Sequence, residues 1–123
     1  MQHVNEFLAL VNDAKTRVKE IDIQGYVALK EAGTPHVLID TREESEWGRG
    51  HLPGAIHLGK GIIERDIVSK VPDKSTTLVL YCGGGFRSAL AGDNLMKMGY
   101  QDVISMDGGW TGWNKAGLPV EKD

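Results

Sequence analysis

Cysteine is nearly absent from this chain: one residue, Cys82, stands among 123. A single thiol excludes an intramolecular disulfide framework and suggests a reducing compartment where a free cysteine survives. No Cys/His pair has the spacing of a zinc site, and neither a metal nor a cofactor is expected. No N-terminal stretch joins a basic start to a continuous apolar run, so neither a signal peptide nor a membrane span is predicted; the expected setting is the cytoplasm. Basic residues are not in excess either. Fourteen Lys and Arg against seventeen Asp and Glu give a net charge of −3, which argues against a dedicated nucleic-acid surface. Internal repeats and low-complexity tracts are also missing. What remains is ordinary for a globular domain, with 41% hydrophobic and 25% charged residues. A chain of this length buries about two-thirds of its unfolded surface as one domain.

Residues 4–17 place Val4, Phe7, Leu8, Leu10, Val11 and Ala14 at helical spacing, with Asn12, Asp13, Lys15 and Arg17 mostly opposite. This predicts an N-terminal amphipathic segment, residues 1–17, that packs on the domain or meets a partner. Strands are predicted over 18–22, 36–40, 55–58, 76–81 and 102–106, and helices over 23–32, 61–71, 88–98 and 110–115. Gly33 with Pro35 beyond it, Pro72 and Gly99 supply the helix stops. Strands alternating with helices predict an α/β fold whose mainly parallel five-stranded sheet is covered on both faces. Ligands on such sheets bind at the carboxyl ends of the strands, where Asp40 and Cys82 both fall.

Around the cysteine the sequence reads Leu78-Val79-Leu80-Tyr81-Cys82-Gly83-Gly84-Gly85-Phe86-Arg87-Ser88. A buried strand runs into a glycine loop and then a helix, whose N-terminus carries about half a positive charge. That environment favours the thiolate and marks Cys82 as a nucleophile. Gly83, Gly84 and Gly85 remove the Cβ atoms that would keep a ligand from the backbone and permit positive φ. Successive N–H groups can then converge into an anion-binding nest. Arg87 adds a positive charge, and Ser88 is positioned to cap the helix. The bland alternative is a buried, inert cysteine.

Three segments resemble the rhodanese-like sulfurtransferase family. Asp40-Thr41-Arg42 through Trp47, followed by Gly50-His51-Leu52-Pro53-Gly54-Ala55, is similar to the family's Asp-x-Arg and Gly-His-x-Pro-Gly-Ala signature. Tyr81 to Ser88 resembles its active-site loop. Val103 to Trp113 with Gly117-Leu118-Pro119-Val120 resembles its closing strand, Gly-Gly turn, tryptophan helix and tail. The likeness spans residues 18–121 and implies the rhodanese-like three-layer sandwich, with the N-terminal helix as an addition. It also implies a cycle in which Cys82 takes a sulfane sulfur from thiosulfate or another persulfide donor and passes it to a thiol or cyanide acceptor, with a protein persulfide as a further candidate partner. Gly83, Gly84, Gly85, Phe86, Arg87 and Ser88 are the implied substrate-binding residues, with Asp40 and Arg42 as supporting candidates. Two other readings stand beside it. One is a binding or regulatory module without turnover. The other is a cysteine-dependent phosphatase, whose Cys-x5-Arg loop is one residue longer than the four between Cys82 and Arg87. Gly83 and Gly84 also stand where relatives that use thiosulfate efficiently carry basic residues.

Other residues have plainer expectations. Asp40 either orients the loop or touches substrate, or it pairs with Arg42, Arg49 or a backbone N–H in a structural network. Arg42 and Glu46, four apart, predict a local ion pair. His51 is an acid/base candidate or a structural hydrogen-bonding group. Trp47, Trp110 and Trp113 read as packing residues, and Glu43, Glu44 and Glu46 as a solvated acidic face. Phe86 is expected to show its ring to solvent or to an incoming partner.

Overall fold

The alternation of apolar runs and helical stretches resolves, in a computed structural model that describes residues 3–123, into five parallel strands and six helices. The strands are β1 (Lys19–Ile21), β2 (Val37–Asp40), β3 (Ile56–His57), β4 (Thr77–Tyr81) and β5 (Asp102–Met106). Their order across the sheet is β1-β5-β4-β2-β3. β4 is central, and its side chains divide between two cores, as expected of a strand buried on both faces. Leu78 and Leu80 join Ile39, Val103, Ile63 and Ile67 of α4 (Ile63–Lys70), and Ala91 and Leu95 of α5 (Phe86–Lys97). Val79 and Tyr81 join Leu38, Ile104, Tyr26 of α2 (Ile23–Glu31) and Trp113 of α6 (Gly109–Lys115). The result is the three-layer α/β sandwich. No helix among the described residues is long and apolar enough to cross a membrane.

The N-terminal helix, α1 (Asn5–Lys15), packs along α5. Val11 and Ala14 are buried beneath it, and Arg17 just beyond donates to both carboxylate oxygens of Asp93 on α5 at 2.8 and 2.9 Å. Val4 and Leu10, read as part of the apolar face, point outward instead, because contact with a single helix buries only a narrow stripe. Element boundaries differ as well. β3 is a two-residue strand, and α5 begins at Phe86, two residues before the predicted start. A short helix not foreseen in the sequence, α3 (Glu44–Trp47), follows β2. Its start is braced by Glu46 Oε1 accepting from the Glu43 N–H at 3.0 Å, with Glu43 at the cap position where Ser or Thr is usual.

β2 and β4 end side by side, with Asp40 opposite Tyr81. Asp40, fully buried, accepts from the Arg42 backbone N–H at 2.9 Å, from its guanidinium at 2.7 to 3.1 Å, and from Tyr81 Oη at 2.6 Å. The guanidinium also donates to the Gly50 carbonyl at 2.7 Å and lies 4.4 Å from the centre of the Trp110 ring. Tyr81 Oη accepts from the Leu52 N–H at 3.1 Å. The expected Arg42–Glu46 pair does not form, because Arg42 turns inward to the buried carboxylate two residues before it. Burial works against the charged guanidinium, but Asp40 outweighs it and raises the Arg42 pKa. One buried ion pair thus joins the ends of two strands, the 50–52 turn and α6. Asp40→Ala leaves that guanidinium uncompensated, and its expected cost is about 3–5 kcal/mol of unfolding free energy. Urea denaturation checks this; a loss below about 1 kcal/mol would contradict it.

Candidate active site

Cys82 follows the last residue of β4, and its own backbone is held by α6. The Trp110 N–H donates to the Cys82 carbonyl at 2.8 Å, and the Thr111 N–H to the Gly83 carbonyl at 3.0 Å. A trans peptide sets N–H and C=O on opposite sides. Turning these two carbonyls to α6 therefore points the Gly83 and Gly84 N–H groups away from it. Gly109, at φ 49°, permits the approach: any Cβ there would overlap the Cys82 carbonyl.

The loop ends at Gly85, which caps α5 in the left-handed region at φ 106°. Its N–H donates to Cys82 Sγ at 3.1 Å. Because Gly85 makes the turn, Ser88 is not the cap predicted for it. Ser88 lies buried one helical step on, with Oγ 3.6 Å from Cys82 Sγ and 2.8 Å from Ser105 Oγ of β5. The sulfur thus has a backbone donor and a hydroxyl beside it. It also faces the first turn of α5, where Phe86, Arg87 and Ser88 have N–H groups without an acceptor inside the helix. Such donors stabilise negative charge at the sulfur or on an atom attached to it.

Cys82 is 1% exposed and sits with Gly83 and Gly84 at the base of a cavity of about 530 Å³. Phe86, Arg87 and Thr111 form its sides, and α1 with the residues before it adds Phe7 and His3. Phe86 is not the free ring expected from the sequence: its centroid lies 4.6 Å from His3 and 6.2 Å from Phe7. Arg87 is not a free cation either, since it donates to both oxygens of Glu46 at 2.8 and 3.2 Å. That hydrogen-bonded pair holds the Glu46 carboxyl at about 2 and raises the Arg87 pKa. Glu46 therefore leaves the solvated acidic face to which it was assigned.

Asp40 and Arg42 do not line this cavity; they reach Cys82 only through Tyr81 and Trp110. His51 makes structural contacts, with Nδ1 3.0 Å from the Leu52 carbonyl, Nε2 3.0 Å from Asp123, and its ring stacked at 3.6 Å on Trp47. Trp113 is buried and donates to the Pro119 carbonyl at 2.7 Å. Sequence reasoning missed Phe7, Thr111, Glu46 and Gly109 as parts of the site. Only the Gly108-Gly109 pair after β5 carried a signal of close backbone approach.

Residues 23–116 match the family described as Rhodanese-like domain. A protein named Sulfurtransferase from Allochromatium vinosum is 36% identical over 84% of this chain and 94% of its own length. A thiosulfate sulfurtransferase GlpE from Pseudomonas savastanoi is 35% identical over 86% and 95%. Among solved structures, a Wolinella succinogenes polysulfide-sulfur transferase homodimer superposes with TM-score 0.80 at 26% identity, covering 96% of this chain and 88% of that one. A Rhodopseudomonas palustris protein of unknown function, described as a possible tyrosine phosphatase, gives TM-score 0.82 at 28% identity, covering 98% of each.

The Glu46–Arg87 pair yields a pH test. With its folded pKa depressed, Glu46 contributes stability that is complete above its ordinary value near 4.5 and is lost as pH falls through about 2. The stability difference between wild type and Glu46→Gln should therefore hold steady from pH 7 to 5 and shrink towards pH 2. A pH-independent difference in urea midpoints would contradict the pair.

Proposed function

The chain belongs to the rhodanese-like domain family and is a sulfurtransferase, and from that premise we propose that Cys82 is its covalent sulfur carrier. The observation that carries this reading is the Cys82 sulfur at the base of the cavity, 3.1 Å from the Gly85 N–H, under the unpaired first turn of α5. In the first half-reaction the Cys82 thiolate attacks the outer sulfur of thiosulfate. A Cys82–S bond forms, the S–S bond of the donor breaks, and sulfite leaves with the bonding electron pair. In the second, an acceptor such as cyanide or a thiolate attacks the outer sulfur of the persulfide and regenerates the Cys82 thiolate. Neither step needs an external oxidant or reductant. The terminal sulfur of the persulfide is anionic, and the amides of Gly83 to Ser88 are the groups available to hold it. Ser88, bonded to Ser105, keeps a hydroxyl beside the inner sulfur.

Arg87 acts here as a post more than as a free anion receptor, because Glu46 already occupies its guanidinium. Asp40 and Arg42 are positioning residues, acting through Tyr81, the residue before the nucleophile. The phosphatase reading is weaker: four residues separate Cys82 from Arg87, and a tetrahedral phosphate needs a wider ring of donors. A non-catalytic module would have no use for a thiol at the base of an open cavity. The lone thiol supports a reducing, cytoplasmic setting.

Intact-protein mass spectrometry of the reduced protein tests the assignment. Wild type should gain one sulfur on exposure to thiosulfate or an organic sulfane-sulfur donor and lose it to cyanide as thiocyanate, while Cys82→Ser gains none. Sulfur uptake by Cys82→Ser, or Cys82-dependent hydrolysis of an aryl phosphate without sulfur uptake, would overturn it.

A further inference from the structure

The cavity above Cys82 differs from what a small dianion requires. Thiosulfate has five heavy atoms, two negative charges and no apolar surface, whereas about 530 Å³ is space for a far larger ligand. Around the mouth stand three rings: His3 to Phe7 at 5.2 Å, His3 to Phe86 at 4.6 Å, and Phe7 to Phe86 at 6.2 Å. Arg87 is the one Lys or Arg among the described lining residues, and Glu46 balances its charge with two hydrogen bonds. The low position of Glu46, near 2, keeps that balance through the neutral range. Lys15 lies 5.4 Å from the Phe86 ring centre, and Glu20 faces it at 3.5 Å. A dianion entering this mouth gives up its hydration against rings and a neutralised pair, which is unfavourable. Sulfur and apolar groups are favoured at ring edges and faces.

Resting on the sulfur-carrier reading, we propose that α1 is a specificity element. With Phe86 its aromatic face, Phe7 and the neighbouring His3, selects a sulfane-sulfur donor of single negative charge with an apolar substituent, in preference to the thiosulfate dianion. The outer sulfur of such a donor reaches Cys82 while its carbon frame lies against Phe7 and Phe86. The Cys82 thiolate bonds to the outer sulfur, the donor's S–S bond breaks, and the organic thiolate or sulfinate leaves with the electron pair. α1 suits this role because it is fixed and not loosely attached: Val11 and Ala14 are buried, and Arg17 is bonded to Asp93.

The test uses three donors in single-turnover loading of Cys82: thiosulfate, methanethiosulfonate and benzenethiosulfonate. Each rate is divided by the same donor's rate with a simple free thiol, which removes intrinsic reactivity. In wild type the corrected rate should rise from thiosulfate to methanethiosulfonate and by about a further tenfold for the aryl donor, the scale of ring–ring contacts. In Phe7→Ala the aryl advantage should fall to about threefold or less. Phe7→Leu, which keeps the helix packed, should fall between. A corrected aryl advantage below twofold in wild type, or one equal in all three proteins, overturns the proposal. If all donors load Cys82 without preference, the specificity inference fails alone. If none loads it, the carrier assignment fails and takes this inference with it.

Discussion

The buried Asp40–Arg42 pair is the constraint on which the site depends. It sits where β2 and β4 end together, and it decides where Tyr81, the Gly50–Leu52 turn and the Trp110 ring are placed. A buried ion pair adds little net stability over an apolar filling, since desolvation offsets the attraction. Its value is geometric. Four hydrogen bonds from Arg42 hold the Asp40 carboxylate in place, and a fifth, from Tyr81 Oη, ties it to the C-terminal end of β4, where the next residue is Cys82.

From that fixed point the site is built by backbone. The first amides of α6 take the carbonyls of Cys82 and Gly83, which turns the following N–H groups the opposite way. Gly85 then reverses the chain at positive φ and starts α5 directly over the sulfur. Donors placed by peptide planes and helix starts need no side-chain ordering, so the cradle exists before any ligand arrives. This separates two functions along the chain. On the proposed reading, the backbone of residues 83–88 addresses the charge on sulfur, whereas His3, Phe7 and Phe86 address whatever carries that sulfur in.

Much of this was legible in the sequence, for identifiable reasons. The alternation of strands and helices, the cover of the sheet and the place of Cys82 follow from short apolar runs, glycine stops and the turns between elements, all of which are local signals. The order of the strands across the sheet is not such a signal. The partnerships of charged residues were not legible. Arg42 has Glu46 at helical distance and Asp40 two residues back, and only burial of Asp40 decides between them. Glu46 in turn meets Arg87, forty-one positions away, because α3 lies beside the start of α5. Ser88 reads as a cap by type, yet Gly85 makes the turn three residues earlier and sends Ser88 inward to Ser105. Phe7 reads only as one residue of an amphipathic face; its place on the cavity wall is set by tertiary contact alone.

Whether loop amides hold a sulfur carried by Cys82 can be read from amide NMR of the protein before and after loading with one sulfur. The largest proton and nitrogen shifts should fall on the amides of residues 83–88, Gly85 among them, with β1 and α4 unaffected. Loading that leaves these amides in place, or that moves resonances mainly around Asp40 and His51, would contradict it.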